Sequence, residues 1–222
     1  MARKDRRAEM ITAAHQLFYT KGYENTSIND IINTVGVSKG AFYHHFDSKQ
    51  AVMMAVVDVL VVQTEAVIRP ILANPNLPAI DKFGHMARVV NSWKIEQRDQ
   101  MLDLMRVMFS DENLQLQHKL VAHTMRIAVP ALAQILEQGS QEGVFDLDGV
   151  DAVSSAEFII AILRAADETM IELLLDTNRP DNASTIAINK YATAQKMMER
   201  ILNAPAGSLS FIDQDAFARW FV

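Results

Sequence analysis

The stretch from Ser27 to Phe46, SINDIINTVGVSKGAFYHHF, constrains the fold more tightly than any other. Its apolar residues Ile28, Ile31, Ile32 and Val35 fall at i, i+3, i+4 and i+7, the spacing of one helix face. Gly36 then interrupts the pattern. A glycine there can take the positive φ that a sharp turn between helices needs. Ser38 follows as the expected N-cap of a second helix, because its hydroxyl can accept from an otherwise orphaned amide. Near the start of that helix stand Lys39, Gly40, Ala41, Tyr43 and His44: a cation, two small residues and two hydrogen-bonding rings. Phe42 and Phe46, at i and i+4, are expected to face the other way and anchor it.

This pattern predicts a helix-turn-helix with its second helix in the DNA major groove. A helix enters the groove closely only if its leading side chains are small, which Gly40 and Ala41 are. Glycine would otherwise be a costly choice there, by about 1 kcal/mol relative to alanine inside a helix. Lys39, Tyr43 and His44 can reach phosphates or base edges, with Ser38 at the helix start. Thr26 and Ser27 open the preceding helix, with Asp30 placed to complete a capping box on Ser27. A helix start aimed at the duplex also offers backbone N–H groups to phosphate, so Thr26 and Ser27 join the candidate contacts. Asp47 and Ser48 begin the next helix, with Gln50 set to close a box on Asp47. Lys49 lies in its first turn, where a cation is unfavourable for the helix dipole unless a phosphate offsets it. The competing reading of the same spacing is a plain helical hairpin with a solvated polar face.

The stretch also resembles the N-terminal domain of the TetR-type transcriptional repressors. The resemblance runs from Ala13 to about Val52: LF at Leu17–Phe18, GY at Gly22–Tyr23, TSI at Thr26–Ile28, DI at Asp30–Ile31, GVSKGAFYHHF at Gly36–Phe46 and SK at Ser48–Lys49. The family often has alanine where this chain has Ile32 and Val35, both core-facing, so the departure concerns packing. The resemblance implies operator binding, a DNA-backbone contact at Lys49, and a helical body that senses a small molecule. It covers only the first quarter of the chain and leaves ligand identity open.

The chain has 222 residues, 50% hydrophobic and 22% charged, enough for a small DNA-binding domain and a larger partner. The boundary is expected near residue 48, giving domains 1–48 and 49–222. Cysteine is absent, which excludes disulfides, thiol sensing and cysteine-ligated zinc. No uninterrupted apolar run of membrane-spanning length stands out, and no apolar signal region follows the basic N-terminus, so a cytoplasmic location is expected. Net charge is −6. Yet residues 1–50 hold seven basic residues against five acidic, a net +2, leaving −8 on the remainder. The N-terminal part can therefore face phosphates while the body repels them. Arg3, Lys4, Arg6 and Arg7 form either a basic arm for the DNA or an ordinary solvated terminus.

Helical periodicity continues throughout, and no strand pattern or repeat emerges. Helices are expected over 3–19, 48–71, 81–97, 99–109, 113–139, 149–177 and 183–203, with a short aromatic one from Ser210, capped with Asp213, holding Phe211, Phe217, Trp220 and Phe221. Asn74–Pro78 is the clearest break, and Pro130 should kink or split its helix. Phe83, Met86, Trp93, Met101, Met105, Met108 and Met125 form a candidate apolar ligand pocket. Methionine adapts to irregular space, but the same stripes also serve as ordinary core. His85, Arg88, Asn91, His123, Arg126, Glu157, Arg164, Asp167 and Glu168 are polar groups on apolar helices. Arg164 and Glu168, at i and i+4, are placed to pair. The histidines lack metal-ligand spacing. The last two long helices, with Ile159, Leu163, Met170, Ala187, Ala194 and Met198, form a candidate seam for a homodimer. The aromatic C-terminus could cover the core or extend that seam.

The sequence therefore predicts an all-α homodimeric regulator that binds a near-palindromic operator and responds to an unidentified small molecule. No cofactor, metal or membrane is implied. The alternatives are a DNA-binding regulator without a small-molecule effector, and an enzyme using the apolar cavity. No nucleophile–base–orienter set supports the latter.

Overall fold

In a computed structural model, residues 5–109, 113–147, 149–210, 213 and 217–221 are described. Among them the chain forms nine α-helices and no strand: α1 (Arg6–Lys21), α2 (Ile28–Val35), α3 (Lys39–His45), α4 (Lys49–Ala73), α5 (Ala79–Glu96), α6 (Arg98–Met108), α7 (Leu114–Gln141), α8 (Ala152–Leu175) and α9 (Ala183–Ile201). A 3-10 turn, Arg219–Phe221, follows. Packing groups residues 1–63 with 99–123 in one compact unit, and 64–98 with 124–222 in another.

The first unit closes around an apolar centre. Met10, Ala14 and Phe18 of α1 pack with Ile31 of α2, Phe42 and Phe46, Val52 and Val56 of α4, and Met108 of α6. Along α1, Met10, Ile11, Ala13, Ala14 and Phe18 are buried and Ala8 is exposed. The Asp5 carboxylate accepts from the amides of Arg7 and Ala8 and caps the helix. Packing around the helix-turn-helix thus extends well past residue 48. α4 is long and apolar enough to cross a membrane by length and composition alone. Its Val52, Met53, Val56 and Val57 are instead spent on the core of this unit.

The second unit pairs α8 with α9 through small residues that permit close approach. Ala156, Ile159 and Ala166 on α8, and Ala187, Ala194 and Met198 on α9, are buried. The break at Asn74–Pro78 is fastened by side chains rather than left loose. Lys82 Nζ donates to the Leu72 carbonyl at 2.8 Å, and Gln138 Nε2 to the Leu77 carbonyl at 3.0 Å. The Ala79 amide donates to the Glu142 carboxylate at 2.9 Å, which caps α5 in place of a local N-cap side chain. α7 runs through Pro130 as one helix. A proline removes a single N–H, and the buried Val129, Ala131 and Leu132 around it hold the helix across the gap.

The aromatic C-terminus covers the core of the second unit. Trp220 is 1% exposed, its indole N–H donating to Asn91 Oδ1 at 3.1 Å and its carbonyl accepting from Arg98 Nε at 3.1 Å. Phe217 stacks edge-on against Tyr191. Phe217 and Ala218 are helical, with the Phe217 amide donating to the Asp213 carbonyl, before the 3-10 turn. Phe211 lies outside the described residues, as do Arg3 and Lys4.

Candidate nucleic-acid interface

α2 and α3 are each set by their own caps. The Ser27 hydroxyl donates to Asp30 Oδ2 at 2.6 Å and accepts from the Asp30 amide, while the Ser27 amide donates back to Asp30 Oδ2 at 2.8 Å. Lys21 Nζ donates to the other Asp30 oxygen at 3.0 Å. These bonds, from Ser27 first and then Lys21, hold the Asp30 carboxyl well below the usual carboxylate range. Gly36 ends α2 in the left-handed region, φ 72° and ψ 41°, its amide donating to the Ile32 carbonyl at 2.9 Å. A Cβ there would meet nothing within 4 Å, so backbone conformation alone calls for glycine. The Ser38 hydroxyl accepts from the Ala41 amide at 3.1 Å and starts α3.

The two sides of α3 then separate as the sequence predicts. Phe42 and Phe46 are buried, and Lys39, Gly40, Tyr43 and His44 are exposed, with Ala41 half-buried. Lys39 Nζ lies 6.0 Å from the centre of the Tyr43 ring, which itself meets Phe42 edge-on. Among the described residues nothing crowds Gly40. A Cβ there would touch only Ser38 Oγ, at an ordinary 3.9 Å.

Two candidate contacts sit differently. Thr26 is 1% exposed, and its hydroxyl donates to the Gly22 carbonyl at 2.8 Å and the Leu17 carbonyl at 3.2 Å. It is consumed in closing the α1–α2 turn, and its side chain is not presented to a phosphate. Lys49 Nζ donates to the Tyr23 carbonyl at 2.8 Å and lies 4.1 Å above the centre of the Tyr23 ring. Its ammonium is thus held within the unit by a neutral carbonyl and a ring face. Burial first, and Glu24 second, push the Tyr23 phenol up to about 12. The capping box expected on Asp47 does not form. Ser48 caps α4 by accepting from the Ala51 amide, and Gln50 instead reaches Asn113.

Sequence reasoning passed over His45, which is exposed beside His44 with ring centres 5.0 Å apart. The paired histidines were visible, but helical periodicity assigned only one of them a face. Arg7 is expected in either a basic arm or a solvated terminus. Its guanidinium instead lies 5.2 Å from the centre of the Phe46 ring, tying the start of α1 to the end of α3.

The candidate pocket residues are divided between the two units. Met101, Met105 and Met108 belong to the first unit, and Phe83, Met86, Trp93 and Met125 to the second. Met108 is 1% exposed and fills the core under the helix-turn-helix. Two cavities among the described residues bear on this set. One, of about 30 Å³, lies between α1, α4 and α6 and is lined by His15, Phe18, Met53, Gln100 and their neighbours. The other, an open groove of about 330 Å³ between α4 and α5, contains Trp93 of the seven.

The polar groups of the body are mostly engaged. Arg164 and Glu168 pair at 3.4 Å, and His123 faces Asp58 at 3.5 Å. The Tyr191 hydroxyl donates to Asp167 Oδ1 and also meets Met170 Sδ at 3.6 Å. Burial pushes the Asp167 carboxyl up, against the opposing pull of Lys94 and the Tyr191 hydroxyl, and pushes the Tyr191 phenol well up.

Residues 10–56 match the model for the N-terminal domain of bacterial regulatory proteins, tetR family. An HTH-type transcriptional regulator of Lactococcus lactis subsp. lactis is 46% identical over 55 residues, 25% of this chain and 28% of that protein. The HTH-type transcriptional regulator TtgR of Pseudomonas putida is 39% identical over 57 residues, 26% of this chain and 27% of its own. The chain thus spans little more than a quarter of the length of these curated relatives. The fold as a whole is shared more widely. A TetR-family regulator from Pectobacterium atrosepticum aligns over 90% of this chain and 95% of its own, with a TM-score of 0.65 and 18% identity. Salmonella enterica GusR aligns over 92% of this chain and 98% of its own, with a TM-score of 0.60 and 19% identity.

Proposed function

We propose that this chain, whose N-terminal domain belongs to the tetR family of bacterial regulatory proteins, is a ligand-responsive transcriptional repressor acting in the cytoplasm. It binds a near-palindromic operator as a homodimer and leaves it when a small apolar or amphipathic effector binds. The observation that carries this reading is the exposed leading edge of α3. Lys39, Tyr43 and His44 are exposed around a glycine that no described residue crowds. A major groove supplies a reason for it, since the backbone must approach base edges closely there. Ser38, Lys39, Gly40, Ala41, Tyr43 and His44 are the proposed contacts, with the α2 start at Ser27 against phosphate. Lys49 acts chiefly by holding the domain together.

Exposed apolar side chains on the outer faces of α8 and α9 support the dimer. Phe158 is 70% exposed, with Met197 and Ile201 about half exposed. A second copy covering them would form a four-helix bundle and pair two recognition helices across a twofold axis. α4, whose residues belong to both units, is the proposed carrier of the ligand signal.

The test is fluorescence anisotropy with the DNA upstream of the protein's own gene, at fixed salt. Tyr43→Ala and Lys39→Ala should each weaken binding at least tenfold with an unchanged sedimentation coefficient. Unchanged affinity would sink the groove assignment. A second reading, a regulator without a small-molecule effector, is favoured by the scatter of the seven pocket candidates over two units. Native mass spectrometry for a co-purified ligand separates the two.

A further inference from the structure

The groove between α4 and α5 has a charge pattern that the regulator reading leaves unused. Half-buried Val67, Val89 and Trp93 make its floor, and Arg88, Ser92 and Glu96 its exposed rim. Its volume of about 330 Å³ suits a small molecule. Arg88 and Glu96 lie eight residues apart on one helix, so their backbones are separated by about 12 Å along its axis. One end of an apolar trough is therefore cationic and the other anionic.

The cationic end is partly organised in advance. Arg88 Nη1 donates to the Ser210 carbonyl at 3.0 Å. That bond uses one of the five N–H donors of a guanidinium and leaves the others for a carboxylate. It also limits the rotamers the side chain must give up on binding. At the anionic end, Glu96 has no hydrogen bond or ion pair with any described residue. Its charge is solvated and available.

We infer that this groove binds a zwitterionic amphiphile. Its carboxylate sits at Arg88, its apolar body crosses Val67, Val89 and Trp93, and its ammonium sits at Glu96. A fatty acid would satisfy Arg88 alone, and an alkylamine Glu96 alone. A molecule anionic at both ends would be repelled at Glu96. As the effector site the groove rests on the regulator reading above; as a binding site it does not.

The test uses the full chain labelled with nitrogen-15. Its two tryptophans give two indole N–H signals, assigned with Trp93→Phe. The probes are 8-aminooctanoate, octanoate and octylamine, which share a chain and differ in their ends. We expect 8-aminooctanoate to move the Trp93 signal saturably while that of buried Trp220 stays in place. It should bind about fivefold more tightly than either single-ended probe, the scale of one exposed ion pair. Glu96→Gln should erase its advantage over octanoate, and Arg88→Gln its advantage over octylamine. Glu96 has no hydrogen bond or ion pair with a described residue, so loss of fold is not an expected cause. Equal affinity for the three probes, an unmoved Trp93 signal, or indifference to Glu96→Gln overturns the site. Operator anisotropy run with 8-aminooctanoate reads the consequence separately. Saturable binding without operator release overturns the effector role, whereas failure to bind operator at all overturns the regulator reading and leaves the groove result standing.

Discussion

The Lys49 ammonium donates to the backbone carbonyl of Tyr23 at 2.8 Å and lies 4.1 Å above the centre of the same residue's ring. One side chain therefore fastens the start of α4 to the turn that follows α1. Lys49→Met keeps the stem and removes the charge. It should lower the unfolding free energy by about 1.5–3 kcal/mol, the range for a hydrogen bond to a charged group. Urea denaturation checks this. Operator affinity at a temperature where the variant is fully folded should fall less than it does for Tyr43→Ala.

Thr26→Val separates a structural threonine from a phosphate contact. The change keeps the shape and strips the donor from the Leu17 and Gly22 carbonyls. Stability should fall by about 1–3 kcal/mol, the cost of leaving buried polar groups unpaired. The slope of log affinity against log salt should stay the same, because no phosphate contact is lost.

Gly40→Ala should act in the opposite direction. The added methyl meets only ordinary contact at 3.9 Å, and alanine favours a helix interior by about 1 kcal/mol. The variant should melt at the same or a higher temperature while binding operator more weakly. Unchanged operator affinity would leave Gly40 without an explanation.

Gly139→Ala should be severe. Its Cβ would stand 2.0 Å from Cδ2 of Phe145, which is itself only 3% exposed and has nowhere to retreat. Overpacking of this kind costs about 1–3 kcal/mol or more. Differential scanning calorimetry should show a lower midpoint.

Acid should loosen both units through carboxylates that serve as caps. Glu142 is held below its ordinary value first by the Ala79 amide and then by Gln138, and Asp30 by Ser27 and then Lys21. A depressed folded pKa contributes stability that is fully present above the unfolded pKa and is lost as pH falls through the folded one. Stability should therefore begin to decline as pH falls through the ordinary carboxylate range and continue to fall below it. Asp30→Asn and Glu142→Gln should each flatten that decline, read as denaturation midpoints from pH 7 down to pH 3.

Local chemistry made the helix-turn-helix legible. Ser27, Asp30, Gly36 and Ser38 fix their own backbone through bonds to neighbours a few residues away, so residue type and spacing suffice. Thr26 and Lys49 were harder to place. Their partners, Leu17 and Tyr23, are 9 and 26 residues distant, and nothing in the spacing says that the chain returns there. The division of the pocket candidates between two units was hidden for the same reason. Helical periodicity tells which face of a helix is apolar, but not which other helix that face meets.

The sequence by itself determined the all-helical character, the turn geometry and the exposed edge of α3, because each follows from short-range hydrogen bonding and the 3.6-residue period. Only the tertiary structure decided that α6 and the start of α7 pack with the N-terminal helices. It also decided that the aromatic C-terminus covers the second unit through Trp220 and Asn91, which stand 129 residues apart. Burial is not directional along the chain. Many helix pairings remove similar apolar area from water, and the choice among them is made by packing shape and by the polar groups that must find partners once inside.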